Sequence, residues 1–98
     1  MLNLETLRSH YKSAILAIAS EHHTDNVRIF GSVALGTASK DSDLDLLVHA
    51  RQGCSILDLC AMQREISELL GGIKVDLLSE GEVREELKSI IINEATQL

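Results

Sequence analysis

Apolar residues recur at steps of three and four in three parts of the chain, which is the spacing of one face of an α-helix. The first stripe predicts a helix over residues 4–20, with Asn3 as its N-cap. The second predicts a helix that opens at Ser55 with a capping-box pattern and ends at the glycine pair 71–72. The third predicts a helix over residues 83–95. The apolar positions are Leu4, Leu7, Tyr11, Ile15 and Ile18; Ile56, Leu59, Met62, Ile66 and Leu69; and Val83, Leu87, Ile90, Ile91 and Ala95.

Shorter apolar segments at residues 27–30, 44–49 and 73–78 predict three β-strands, and a glycine-bounded turn, residues 31–36, follows the first. Side chains alternate across a strand, so one face of the second strand is apolar and belongs to the core. The order is helix, strand, strand, helix, strand, helix. We therefore expect an α/β (α+β) fold, a small mixed sheet flanked by helices. The core face of the second strand carries Leu44, Leu46 and Val48, and the opposite face carries Asp43, Asp45 and Leu47.

The composition is that of one small domain. The chain has 98 residues, no proline and no repeat that would mark a linker, so residues 1–98 are expected to form a single domain. No apolar run approaches the roughly 18 residues of a membrane span, and the first residues lack the pattern of a signal peptide. We expect a soluble cytoplasmic protein in which Cys54 and Cys60 are reduced thiols.

The net charge of −6 limits the partners of the chain. Long nucleic acid is bound through basic residues and stacking aromatics, but Asp and Glu outnumber Lys and Arg by 15 to 9 and the aromatics are Tyr11 and Phe30. Long nucleic acid is therefore a poor candidate, whereas a small nucleotide held through a metal ion is compatible with this charge. An oligomer is also compatible with the sequence.

Two acids open the second predicted strand on the same face. Asp43 and Asp45 are separated by one residue, so their Cα atoms lie roughly 6 to 7 Å apart and their side chains point the same way. Carboxylates about 5 Å apart repel by about 3 kcal/mol at an effective dielectric of about 20, which favours a bound cation. Oxygen ligands without His or Cys nearby select Mg²⁺ or Mn²⁺. In isolation, an Asp-x-Asp sequence before a strand is more typical of an Asx-type turn.

A third acid, Asp76, interrupts an otherwise apolar predicted strand, where a carboxylate is costly unless it is paired or binds a metal. If this strand pairs with the second, Asp76 joins Asp43 and Asp45, and three carboxylates can hold two metal ions. One ion would activate an attacking hydroxyl and the other would hold a triphosphate, with Asp76 as proton acceptor. The alternative is an ion pair between Asp76 and Lys74 or an arginine. Lys74 itself is expected on this face, where it meets phosphate or neutralises the acids.

The glycine turn before the acids suits a phosphate group. Gly31 would let phosphate approach the backbone closely, and the Ser32 hydroxyl and the turn amides can donate hydrogen bonds to it. A helical turn beginning near Ser32 would add its positive dipole end, and a plain N-cap role for Ser32 is compatible with this. Gly31 and Ser32 are therefore the expected phosphate-binding residues, and Gly36 is expected to turn the chain back toward the acids.

Other titratable residues have structural explanations. His22 and His23 lie at the expected end of the first helix, where a cation suits the dipole. His49 lies about 13 Å along the strand from Asp45, so we expect it to take no part in the site. The glutamates within residues 80–86 are expected to form the solvated opening of the last helix.

Residues 30–48 resemble the signature of the DNA polymerase β nucleotidyltransferase superfamily. That signature is Gly-Ser, ten residues and Asp-x-Asp, and residues 31–32 followed by 43–45 fit it without a gap. The later Val-Asp-Leu at residues 75–77 makes the chain similar to the minimal nucleotidyltransferases within that superfamily. The resemblance covers about residues 25–95 and implies a polymerase-β-like nucleotidyltransferase fold.

The resemblance also implies an activity. Members of this family are commonly paired with a HEPN-domain toxin, and several act as antitoxins that transfer AMP from ATP to a tyrosine of that toxin. One departure concerns Val33 and Leu35, which stand where the family often has arginines that can contact phosphate or acceptor. The alternative is a non-enzymatic, antitoxin-like module that neutralises its partner by binding alone, with Val33 and Leu35 in an apolar contact surface.

Overall fold

Four strands and the helices that connect them occupy residues 2–98, the part of the chain that the computed structural model describes. The helices are α1 (Leu4–Thr6), α2 (Lys12–Glu21), α3 (Gly31–Leu35), α4 (Ile56–Leu69) and α5 (Glu85–Glu94). The strands are β1 (Thr24–Phe30), β2 (Leu44–Ala50), β3 (Val75–Ser79) and β4 (Thr96–Gln97). A π-helical turn, Leu7–Tyr11, joins α1 to α2, and a 3-10 turn, Glu80–Glu82, precedes α5. The three predicted strands and the three predicted helical regions are confirmed, with somewhat different ends.

The strands form one mixed sheet in the order β3-β2-β1-β4, which confirms the expected fold class. β2 runs parallel to β3 and antiparallel to β1, so the end of β1 and the starts of β2 and β3 lie at the same edge. Phe30 lies opposite Asp45, and Asp45 lies opposite Asp76. We call this edge, marked by Phe30, Asp45 and Asp76, the acidic edge.

The main core lies between the sheet and the helices α2 and α4. Leu44, Leu46 and Val48 point into it and are fully buried, as the alternation predicts. Leu47 points to the opposite face and is fully buried as well. It is covered by the 3-10 turn and α5, which line a small cavity with it through Glu80, Val83, Lys88 and Ile92. Both faces of the sheet are therefore covered, and Asp45 lies on the face that α5 covers.

Two features lack a signal in the sequence. β4 has two residues, which pair with Arg28 and Ile29 of β1, and two residues cannot display an alternating pattern. The π-helical turn interrupts the predicted first helix because apolar steps of three and four do not distinguish an α turn from a π turn. Arg8 in this turn donates to the Gln97 carbonyl at 2.7 Å, which ties the N-terminal helices to β4.

The expectation for the glutamates within residues 80–86 is wrong for two of them. Glu80 accepts from the Arg28 guanidinium at 2.8 Å, and this arginine is 11% exposed. Glu82 accepts from the Ser79 hydroxyl at 2.8 Å in a capping box. Both belong to the 3-10 turn because these bonds hold the chain there, and the acids that open α5 are Glu85 and Glu86. Within residues 2–98, no helix has the length and apolar character of a membrane span.

His22 joins α2 to α4. It is the C-cap of α2, and its Nδ1 lies 3.2 Å from Asp58 Oδ1 while its Nε2 contacts Glu65. Burial lowers the pKa of His22, but the hydrogen bonds and charges of Asp58 and Glu65 outweigh burial and raise the pKa above its ordinary value. The expected position at the helix end is confirmed, and the two carboxylates of α4 add a tertiary role that the local sequence does not reveal.

Removal of the Ser55 hydroxyl should destabilise the start of α4. Ser55 Oγ accepts from the Asp58 N–H at 3.3 Å, and Asp58 Oδ2 accepts from the Ser55 N–H at 3.0 Å, so the predicted capping box is confirmed. Ser55→Ala should lower the free energy of unfolding in urea by about 1 kcal/mol. Ser13→Ala, at an exposed position of α2, is the control and should change it by less than about 0.5 kcal/mol. Equal effects of the two substitutions would contradict the capping role.

Candidate active site

Gly31 lies directly against Asp45 at the acidic edge. β1 ends at Phe30, and α3 begins at Gly31 with φ of 72°, a left-handed conformation that favours glycine. A Cβ atom at Gly31 would overlap Asp45 Oδ2 and lie 3.2 Å from Asp45 Cγ. The sequence suggests a glycine that admits phosphate, and the structure adds a second reason for it. No side chain larger than hydrogen fits between the turn and the second acid.

Ser32 lies in the first turn of α3, which confirms the predicted helical turn at this position. Backbone N–H groups in the first turn of a helix have no partner within the helix, so they are available to an oxygen ligand. Gly36 ends α3 with φ of 75°, and the Thr37 N–H donates to the Ser32 carbonyl at 2.9 Å. These bonds close α3 after five residues, and the chain then returns to the start of β2.

Asp45 is the electrostatic centre of the site. The parallel pairing of β2 and β3 sets Asp45 opposite Asp76, as expected if the two strands were neighbours. Burial, then the charges of Asp76 and Asp43, and then a hydrogen bond with Asp76 raise the pKa of Asp45 to about 6, while Lys74 opposes this rise. Asp45 therefore holds a proton under mildly acidic conditions, and at neutral pH the site concentrates negative charge.

Asp43 stands just before β2 and contacts a lysine. Lys74 Nζ lies 3.6 Å from Asp43 Oδ2, and the two side chains are 71% and 38% exposed. Of the roles considered for Lys74, this geometry matches neutralisation of the acids. The alternative of an ion pair between Asp76 and Lys74 or an arginine is not found among residues 2–98. An ion pair this exposed is weak, so Asp43 can exchange Lys74 for another cation at low cost.

The donor set fits a hard divalent cation. Asp43, Asp45 and Asp76 offer carboxylate oxygens. Burial and then the charges of Asp76 and Asp43 raise the pKa of Asp45, and a divalent cation would neutralise those charges. No group of three His, Cys, Asp or Glu side chains in residues 2–98 converges into a complete metal cage. Mg²⁺ does not need one, because it commonly takes one or two carboxylates and completes its shell with waters and substrate phosphates.

Two neighbouring cavities lie on the Asp43 side of the site, and neither is bordered by Asp45, Asp76 or the glycine turn. One, of about 300 Å³, is bordered by Asp43, Lys74 and the 71–72 glycine pair. The other, of about 320 Å³, reaches Tyr11. Lys40, Ser42 and Ile73 line both of them. Lys40 was not predicted as a member of this region, although its place in the loop that leads to Asp43 is a signal that the sequence provides.

Val33, Leu35 and His49 differ in burial and in distance from the acidic edge. Val33 is 3% exposed and belongs to the core, so it does not contribute to a contact surface. Leu35, at the end of α3, is 59% exposed. His49 pairs with Asp25, Nδ1 to Oδ1 at 2.8 Å, toward the end of β2 remote from the acidic edge.

Substitution of Gly31 should cost more than substitution of Gly36. The left-handed conformation of both residues disfavours alanine by about 1–2 kcal/mol. At Gly31 the added Cβ also overlaps Asp45, whereas at Gly36 it would meet nothing within 4 Å. Gly31→Ala should therefore lower the free energy of unfolding by about 1–3 kcal/mol more than Gly36→Ala. The excess should disappear in an Asp45→Ala background, and an excess that persists there would contradict the overlap.

Asp45→Asn should stabilise the metal-free protein at pH 8. The unfolded chain loses the Asp45 proton near the ordinary pKa of 3.8 and the folded protein loses it at about 6. The contribution of Asp45 to folding stability therefore falls as pH rises between these values and is constant above them. With chelator present, thermal denaturation should show an advantage of about 1–3 kcal/mol for Asp45→Asn at pH 8 and a much smaller one at pH 4. If Asp45→Asn is no more stable than the wild type at pH 8, the raised pKa of Asp45 is contradicted.

Comparison with known proteins agrees with the signature in the sequence. A family model described as nucleotidyltransferase domain matches residues 12–98. A candidate protein adenylyltransferase of Methanocaldococcus jannaschii is 37% identical over 89% of this chain and 92% of its own length. A solved candidate minimal nucleotidyltransferase is 40% identical with a TM-score of 0.86, over 99% of this chain and 97% of that chain. The expected resemblance to minimal nucleotidyltransferases is confirmed.

A more distant match is a chain from the complex of the tri-AMPylated Shewanella oneidensis HEPN toxin with its MNT antitoxin. It is 16% identical with a TM-score of 0.65, over 88% of this chain and 66% of that chain, and at this identity the likeness shows the fold alone. The family model and the closer relatives span both the acidic edge and the sheet that builds it. The chain belongs to the nucleotidyltransferase domain family.

Proposed function

We propose that this protein transfers AMP from ATP to a tyrosine hydroxyl of a HEPN-type toxin and thereby acts as its antitoxin, in the cytoplasm where ATP is available. The observation that carries the proposal is the contact of the glycine turn with Asp45, which lies opposite Asp76 on the next strand. Similarity to a candidate protein adenylyltransferase supports AMP as the transferred group. The solved complex with a tri-AMPylated HEPN toxin supports a toxin as acceptor.

In this proposal the turn at the end of β1 holds the triphosphate. Gly31 presents backbone without a side chain, and Ser32 supplies a hydroxyl beside the free N–H groups of the first turn of α3. Because Gly31 also contacts Asp45, a phosphate at this turn is adjacent to the carboxylates. Phosphate and carboxylate are both negatively charged and would repel each other at this turn. A cation bound between them would remove this repulsion.

Asp43, Asp45 and Asp76 would hold Mg²⁺ or Mn²⁺ together with the ATP phosphates. When bound, the cation offsets charge on the triphosphate and lowers the pKa of the attacking hydroxyl. Asp45 would lose the proton that its raised pKa retains in mild acid, because an adjacent cation favours the ionised form. Lys74 would neutralise the charge of Asp43 until the metal ion and the nucleotide bind.

The transfer exchanges one phosphorus–oxygen bond for another. The acceptor oxygen forms a bond to the α-phosphorus, and the bond from that phosphorus to the oxygen bridging the β-phosphorus breaks. The bridging oxygen leaves with its electron pair as part of pyrophosphate. Asp76, half-buried opposite Asp45, is the proposed acceptor of the hydroxyl proton.

Transfer of label from ATP to protein tests the proposal. The protein, Mg²⁺ and α-labelled ATP are incubated with a HEPN-type toxin partner or a host lysate, and labelled proteins are separated on a gel. Asp45→Asn should reduce the rate by at least about a hundredfold, because it removes a carboxylate from the proposed metal site. The matched control is Asp25→Asn, which removes the same charge from an exposed carboxylate that pairs with His49. It should label as the wild type does.

The label position identifies the chemistry. ATP labelled on the γ-phosphate should leave the acceptor unlabelled, since that phosphate departs in pyrophosphate. Full activity of Asp45→Asn would sink the mechanism. The binding-only alternative would instead be established if the wild type and Asp45→Asn neutralise the toxin equally well in the presence of a chelator and no label is transferred to the toxin.

A further inference from the structure

Helix α5 leaves apolar side chains in water. None of its residues is buried, and Leu87 and Ile90 are 46% and 53% exposed. A helix of ten residues has little stability of its own and depends on packing of its apolar face. Exposed apolar residues clustered on such a helix are typical of an interaction surface.

The helix turns a different side to the sheet. Lys88 and Ile92, four residues apart, line the small cavity with Leu47, so this side of the helix borders the sheet, and Ile92 at its margin is 44% exposed. Leu87 and Ile90 lie three residues apart on the outward side. Glu86 and Glu94 stand four residues before and after Ile90, and both are exposed. We call Glu86, Leu87, Ile90 and Glu94 the α5 patch, an apolar centre with an acid at each end.

The α5 patch adjoins the phosphate turn. β4 follows α5 and pairs antiparallel with β1 at Arg28 and Ile29, so the end of α5 returns toward the end of β1, where α3 begins. α3 packs against α5, and its last residue, Leu35, is 59% exposed. A protein bound to the patch would therefore lie next to the proposed ATP site.

We propose that the α5 patch docks the acceptor protein through a helix that carries an apolar strip flanked by Lys or Arg residues, an inference that rests on the proposed AMP transfer. Glu86 and Glu94 complement basic flanks, and they repel a second copy of this acidic chain, whose net charge is −6. Leu87 and Ile90 become buried against the acceptor helix, which stabilises the complex. The glycine turn beside α5 then determines where the acceptor hydroxyl enters the acidic edge. The patch thus determines which protein is modified, separately from the chemistry at the acids.

Binding of a defined peptide tests the docking surface without catalysis. The probe is a fluorescent amphipathic helix with leucines on one face, lysines on the other and one tyrosine, and its anisotropy is measured without ATP. The double substitution Leu87→Gln and Ile90→Gln should weaken binding at least about tenfold. The matched control is Ile56→Gln with Leu57→Gln, which removes side chains that are 65% and 76% exposed at the start of α4, across the sheet from the acidic edge. It should bind as the wild type does.

Further arms separate the surface from the chemistry. A peptide with glutamates in place of lysines should not bind, and calorimetry with a non-hydrolysable ATP analogue and Mg²⁺ should give the same affinity for all variants. Circular dichroism checks that α5 stays helical, and Ile90→Gln alone provides a milder change. In the label-transfer assay the α5 double variant should lose at least about tenfold in rate.

Equal peptide binding by both double variants would overturn the docking surface, as would a homodimer that the α5 substitutions dissociate. Absence of transfer by the wild type would overturn the proposed function, while the peptide arm still decides the surface.

Discussion

The partial burial of Asp45 beside the charges of Asp76 and Asp43 is the constraint on which the acidic edge depends. The strand register places Asp45 opposite Asp76, and burial together with the neighbouring charges raises the pKa of Asp45 to about 6. This arrangement opposes folding at neutral pH, yet the chain adds Gly31 in van der Waals reach of the same carboxylate. Such crowding favours a bound cation, and the glycine turn gives that cation a place to share with phosphate.

The register that creates this crowding is held by the core. Leu44, Leu46 and Val48 are fully buried on one face of β2, so Asp45 must point to the other. A slip of one residue would bury Asp45 and expose the leucines, which makes the register strongly specified. On the acid-bearing face, Leu47 is covered by α5 and the 3-10 turn. No residue of α5 is buried, so α5 covers this face only partly, and its outer side carries the proposed docking surface, the α5 patch.

Local patterns in the sequence were sufficient for the main elements and for the grouping of Gly31, Asp45 and Asp76. Alternation in β2, the Ser55 capping box and the Gly-Ser to Asp-x-Asp spacing are each determined by neighbouring residues. The contacts that were missed join residues far apart in the chain: Arg28 with Glu80, and His22 with Glu65. Tertiary packing decides such pairs, and periodicity carries no information about them. The roles of Asp43, Asp45 and Asp76 in binding metal, and of Gly31 and Ser32 in binding phosphate, stay predictions.

The most direct measurement is anomalous diffraction from crystals grown with Mn²⁺ and a non-hydrolysable ATP analogue. If the acidic edge is the catalytic site, manganese should lie within about 2.0–2.3 Å of carboxylate oxygens of Asp43 and Asp45, with the triphosphate at Gly31 and Ser32. Lys74 should move away from Asp43. Manganese bound elsewhere, or a triphosphate that lies away from the turn while Asp43 keeps its contact with Lys74, would contradict the assignment of the acidic edge as the catalytic site.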